Sequence, residues 1–364
     1  MKNKGFIVIG IIILLVVLII CPIIWYLTQI QAPKGNGEEK VIEITSGTST
    51  VNIVKVLKEN KVIKSELATK IYIKLNGIKN LQAGKYSFSG NENLKEVINK
   101  ISTGGIVDET VTITFKEGKN IRYIAATIAE KTNNTTSDVY NLLKNQEYIK
   151  KLIEKYWFIT DEILNQNIYY PLEGYLYPDT YTFENKDVKT EEIFEKMLDK
   201  MDSVLLKYKN MANSASSSAR KSSFSAHELL TMASIVELEG NNSQNRERIA
   251  SVIYNRIEKK MSLGSDVTTY YAIKVDMGER NLTTKEINTY NAYNTRGPEM
   301  AGKLPVGPIA NPSEEAIKAV LFPADSEFLY FVADKNGDIY FTKTYEEHQE
   351  KINTLKRQGL WFEY

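Results

Sequence analysis

The chain has 364 residues, 43% hydrophobic and 25% charged, which is enough to fill ordinary cores in two or three domains. Its 46 Lys and Arg offset 45 Asp and Glu to a net charge of +1, against the basic excess usual in a protein built to bind nucleic acid. One cysteine, Cys21, excludes an internal disulfide framework, and His227 and His348 lie too far apart for a local metal motif. No metal or cofactor is therefore expected, and catalysis falls to carboxylates.

In chain order, Phe6 to Leu27 reads FIVIGIIILLVVLIICPIIWYL without a charge. A bilayer core needs about 20 apolar residues, so a transmembrane helix is expected over 6–28, with Trp25 and Tyr26 at the interface. Lys2 and Lys4 place a short tail, 1–5, in the cytoplasm and everything beyond on the outer face of the cell membrane. The competing account, a cleaved signal peptide, fits less well because the run is long and lacks a small-residue cleavage site. Residues 29–40 form a Pro/Gly linker.

Two strand-turn-helix phrases follow, one from Val41 and one from Val111 to Lys131, with a hairpin-like LQAGKYSF (Leu81 to Phe88) between them. The region 41–108 reads either as an ordinary pair of β-α units or as a small polysaccharide-binding module of the LysM kind. Residues 109–364 form a larger mixed domain, interrupted by a Ser/Ala-rich loop over 211–225. The fold class expected is α+β or α/β. FLYFVADKNGDIYFTKT near the C-terminus reads as a hairpin around Lys335-Asn336-Gly337-Asp338.

Ser225 and Glu228 make a capping box, so a helix begins at Ala226 and stops at Gly240. At ~100° per residue Glu237 falls at ~80°, between Ala226 and Leu230 and inside the apolar arc. A carboxylate buried without a partner costs several kcal/mol or takes up a proton, and a held proton is what a general acid needs. The competing account is an ion pair to Arg246, Arg248 or Arg256, and on the wheel alone it has the edge. Asn255 and Arg256 lie on the next helix, and Asp266 follows in a loop. From Asp266 to Pro312 the chain is dense in Tyr, Asn, Gly and Pro, a composition suited to gripping polar ligands.

Several phrases in this order are recognisable: PLEGYLYPDTY (Pro171 to Tyr181), ASIVELE (Ala233 to Glu239), SVIYNRIEKKMSLGSD (Ser251 to Asp266), YNT (Tyr293 to Thr295), LPVGPIANP (Leu304 to Pro312), YFVAD (Tyr330 to Asp334) and FTKTYEEH (Phe341 to His348). Together they resemble the YceG-like family, endolytic murein transglycosylases of the MltG type, over nearly the whole exported chain, the expected anchor and the N-terminal modules included. The resemblance implies that Glu237 is the catalytic acid and base, reversing the balance left by the wheel. It also implies a LysM-like module before a catalytic domain that clasps a glycan strand of peptidoglycan, and partnership with membrane-bound penicillin-binding proteins. Two departures stand out: Val267 where the family commonly has proline, and Ile339 where a histidine is usual.

Within that reading Glu239, Asn255, Asp266, Tyr293, Asn294, Thr295 and Asn311 are the candidate substrate-binding residues. Glu173 and Asp179 are expected mainly to pack and turn. The expected chemistry cleaves the MurNAc-GlcNAc bond and leaves a 1,6-anhydro end. The alternatives are hydrolysis with Asp266 or Glu239 as a second carboxylate, and a non-catalytic glycan-binding scaffold.

Overall fold

The structure is a computed structural model that describes residues 2–33, 38–104, 110–212 and 224–361, with side chains at 14 and 16–33 in the first stretch. The centre of the expected linker and residues 213–223 of the Ser/Ala-rich loop lie outside the described residues. Two compact units divide the chain, Met1–Glu109 and Thr110–Tyr364.

The first unit begins with helix α1, Lys2–Gln29, which contains Pro22. The expectation of a transmembrane helix over 6–28 is corrected here: among the described residues no helix is long and apolar enough to cross a membrane. A crossing needs about 20 apolar residues.

Strand β1 (Glu39–Ile44), helices α2 (Thr50–Glu59) and α3 (Glu66–Leu75), strand β2 (Gly84–Ser89) and helix α4 (Leu94–Thr103) follow. The segment expected as a local hairpin, 81–88, instead supplies β2, which pairs antiparallel with the distant β1, Ile42 opposite Tyr86. Alternation puts Ile42, Ile44, Tyr86 and Phe88 on one buried face. Ile53, Val54 and Leu57 of α2 and Val97, Ile98 and Ile101 of α4 share a core with that face. Ser49, Ser65 and Asn93 cap the three helices that follow them, each accepting a backbone N–H.

The second unit runs β3 (Val111–Thr114), α5 (Ile121–Lys131), α6 (Thr136–Lys144), α7 (Gln146–Lys155), a 3-10 turn at Asp161–Leu164, β4 (Thr180–Phe183) and α8 (Thr190–Ala212). It continues with α9 (Ala226–Glu239), α10 (Ser243–Glu258), α11 (Asp266–Ala272), α12 (Thr284–Ile287), α13 (Glu314–Leu321), β5 (Tyr330–Ala333), β6 (Ile339–Thr342) and α14 (Tyr345–Arg357). The expected C-terminal hairpin is the β5–β6 pair. Asp266, expected in a loop, is the first residue of α11. Among the described residues every strand pair is antiparallel and two-stranded, so the architecture is α+β and not a parallel α/β sheet. Helices α9, α10 and α13 pack on one another and carry the centre of a core that includes Leu230, Ala233, Val236, Ile249, Ile253, Ile317 and Val320.

Candidate active site

Helix α9 forms where the capping box predicts: Ser225 accepts from the Glu228 amide and Glu228 from that of Ser225. Residues 230–236 are all buried, the hydroxyls of Thr231 and Ser234 included. Those hydroxyls return to the helix's own carbonyls, Thr231 Oγ1 to His227 O at 2.7 Å and Ser234 Oγ to Thr231 O at 2.7 Å. A helix buried all round gives a poor wheel, since every face meets protein. Ser234 Oγ also accepts from Ile309 N at 3.1 Å, which fastens the LPVGPIANP segment along α9.

That fastening brings Ser313 to Glu237. Oε2 of Glu237 accepts from Ser313 N at 3.1 Å and from Ser313 Oγ in a short bond. The other oxygen, Oε1, accepts from Arg246 Nη2 at 3.1 Å. The Glu237 side chain keeps 7% of its surface exposed and Arg246 12%. The carboxyl is therefore not lodged among apolar neighbours alone. Of the two accounts open at the wheel, the ion pair to Arg246 is the one observed. Arg248 lies over the Phe341 ring and Arg256 over Tyr330.

Arg246 reaches Glu237 because position 240 is glycine. Gly240 is extended, at φ −101°, so its use is space and not a left-handed turn. A Cβ there would lie 2.5 Å from Arg246 Cγ. The guanidinium is shared: Nη1 donates to Glu315 Oε2 at 2.6 Å, and Nε is buried without a hydrogen-bond partner. A fourth group joins through the loop after β3. Glu117 is raised above the usual carboxylate range, first by burial and then by the charge of Glu237, with Arg246 opposing and Glu315 adding. Its neighbour Gly118 packs toward the Glu237 side chain and donates N–H to Asn311 O at 2.9 Å.

The expected binding residues fall into two groups. Tyr293, Asn294, Thr295 and Asn311 are buried and bonded to the protein itself. Asn311 accepts from Leu176 N at 3.1 Å and donates to Lys119 O at 2.9 Å, so it ties the PLEGYLYPDTY segment to the Glu117 loop. Asn294 Nδ2 serves three carbonyls, those of Glu286, Ile287 and Thr289, and its Oδ1 accepts from Thr269 Oγ1. Thr295 Oγ1 bonds Ser265 N and Thr268, and Tyr293 packs tilted against Tyr169 and edge-on to Tyr271. Asn255 likewise spends its amide on the carbonyls of Ser326 and Phe328.

The second group is charged, with Asp266 near solvent and Glu239 deeper. Asp266 pairs with Arg296, with 42% and 39% of the side chains exposed. Glu239 accepts from Ser265 Oγ at 2.6 Å, and burial pushes its carboxyl up while that bond pulls it down.

Glu173 is 1% exposed, and both its oxygens accept from Ile121 N, the first amide of α5. Tyr271 donates a further bond at 2.9 Å. Burial pushes Glu173 up to about 8, against the pull of Ile121 and Tyr271. Asp179 pairs with Lys200 at 3.2 Å.

A cleft of about 870 Å³ opens at the other end of α9, lined by Asp161, Glu162, His227, Glu228, Lys303 and Leu304 among others. Glu237 is not in its lining, about 13 Å of helix away. The hydrogen bonds around Glu237 therefore define the candidate site better than cavity size does.

The YceG-like family profile matches residues 42–354. The chain belongs to that family. It is 38% identical over 311 residues, 85% of this chain and 82% of the relative, to an endolytic murein transglycosylase of Bacillus subtilis (strain 168). It is 27% identical to a protein of the same name in Streptococcus pneumoniae serotype 2, over 85% of this chain and 57% of that one. A 2.6 Å crystal structure of a yceG-like protein from Listeria monocytogenes superposes with TM-score 0.60 at 34% identity, covering 87% of this chain and all of the other.

Beyond Arg246, the company of Glu237 in this YceG-like chain is not signalled in the sequence. Ser313, Glu315 and Glu117 carried no signal of their own. NPSEEA reads as a helix cap with acids in its first turn, which it also is, since Ser313 Oγ accepts from Ala316 N.

Proposed function

We propose that this chain is an endolytic murein transglycosylase, a lyase that cuts glycan strands of peptidoglycan internally, with Glu237 as acid and then base. The observation that carries the reading is the fixed carboxyl of Glu237, held at the end of α9 by Ser313 and Arg246 with a small part of its surface open. Protonated Glu237 gives its hydrogen to the oxygen joining N-acetylmuramic acid to N-acetylglucosamine, and that C–O bond breaks. The carboxylate left behind then takes the proton of the muramic 6-hydroxyl, whose oxygen closes on C1. The product ends in 1,6-anhydro-N-acetylmuramic acid, Glu237 regains its proton, and no water is consumed. One carboxyl serves both steps, whereas a hydrolase needs two at about 5 Å or roughly 6.5–9.5 Å.

Ser313 N–H, Ser313 Oγ and Arg246 all donate to the carboxyl and hold it in place for both halves of the cycle. Unit one fits a glycan-binding role of the LysM kind, supported by its two helices set between antiparallel strands. Because the substrate is wall polymer, the enzyme acts outside the cytoplasm, and penicillin-binding proteins making that polymer are fitting partners. Asp266 and Arg296, exposed and charged, are the side chains we assign to substrate contact ahead of the buried Asn311 and Asn294.

Mass spectrometry of fragments released from isolated sacculi tests the chemistry. Anhydro-muramic ends support it, while reducing-end muramic acid points to hydrolysis and rejects it. Retention of wall polymer without any cutting would make the chain a scaffold.

A further inference from the structure

Resting on that reading, the surroundings of Glu237 raise a question of charge. A buried arginine bonded to a carboxylate normally holds it ionised, which disfavours a general acid. Here the guanidinium is divided. Arg246 gives its shorter bond, 2.6 Å, to Glu315, a carboxylate with 56% of its side chain exposed, and its longer one, 3.1 Å, to Glu237.

We propose that Glu315 is a positioning residue for the reaction: by taking the nearer bond from Arg246 it draws the guanidinium charge off Glu237 and lets Glu237 hold the proton it must deliver.

Charged groups face this pair from three elements. Arg246 comes from α10, Glu315 from α13 and Glu117 from the loop after β3. Two carboxylates thus share one cation while a third, Glu117, feels the charge of all three, an arrangement that cannot keep every carboxylate ionised cheaply. Nearby charges point elsewhere. Glu314 accepts from Lys207 and Tyr208, Glu239 from Ser265, and Lys119 lies over the Tyr123 ring. The shift in Glu117 agrees, since it responds to Glu237, Arg246 and Glu315 together.

The test is the pH profile of anhydro-fragment release by the full chain. The alkaline limb reports loss of the proton from the acid. E315Q leaves the guanidinium to Glu237 and removes a like charge, so its alkaline limb moves to lower pH by about one unit. At a fixed pH beyond the limb the rate falls about tenfold, and at acid pH it stays near wild type. E117Q moves the limb the same way, and R246Q moves it to higher pH. Glu315 is exposed, so E315Q keeps its fold, which a melting curve verifies. An E315Q profile that overlies the wild type, or shifts to higher pH, overturns the inference. If E237Q cuts normally, the catalytic reading itself falls. If E237Q is inactive and E315Q has an unmoved limb, only the role of Glu315 falls.

Discussion

Ser313 has one hydroxyl hydrogen, and the short bond to Glu237 commits it while the same oxygen accepts from Ala316 N. Ser313→Ala therefore removes a helix cap, at about 1 kcal/mol of stability. It also removes a charge-assisted bond, which lowers cutting about tenfold or more. Ser313→Thr, which restores the hydroxyl, recovers most of both in melting curves and fragment release. Gly240→Ala acts on the other oxygen. Its methyl displaces Arg246, so cutting changes in its pH dependence before the fold is lost.

Glu173 gives a separate pH signature at the residue scale. Its folded carboxyl is raised to about 8, above the unfolded value. Such a group stabilises the fold fully at acid pH, and that contribution is lost as pH rises toward and through 8. Urea denaturation between pH 5 and 9 should show the decline, and E173Q, which keeps an acceptor for Ile121, should flatten it.

Among elements, α9 was legible because its signals are local: a capping box, an unbroken apolar run and a glycine stop. The β5–β6 hairpin was legible for the same reason. The Arg246 pair, nine residues on, was among the alternatives, but the Ser313 half of the setting of Glu237 was not legible, because Ser313 lies 76 residues away. Helical periodicity reports that a face meets protein, without saying whether that protein is a leucine or a serine. The Asn and Tyr density of 266–312 can be read in two ways. Buried turns need side-chain amides to satisfy their backbone, as Asn294 and Asn311 do, and the composition is the same as that of a ligand-gripping loop.

The packing of these segments makes a sharp prediction. Gly174 has φ +80°, and a Cβ there would overlap Pro308. Gly174→Ala should cost about 2–4 kcal/mol by strain and by parting the PLEGYLYPDTY and LPVGPIANP segments, which the bond from Leu176 N to Asn311 joins. Chemical denaturation measures the loss, and cutting should fall with it because Ser313 follows directly on the GPIANP turn.

At the scale of the whole molecule, the two units have separate cores, one around Tyr86, Ile98 and Ile101, the other around α9, α10 and α13. Separate cores unfold as separate cooperative steps, so calorimetry should resolve two transitions. Ile98→Ala should lower one of them by about 2–5 kcal/mol and leave the other in place. The proposed division of labour between the two units then becomes testable, since on that proposal such a variant weakens binding of wall polymer before the chemistry of Glu237. That chemistry is the centre of the account. The most direct measurement is the rate of anhydro-fragment release from isolated sacculi by the wild type and by Glu237→Gln, which keeps the shape and removes the titrating proton. A loss of at least about 100-fold with an unchanged melting curve is expected, and cutting by the variant at the wild-type rate would contradict it.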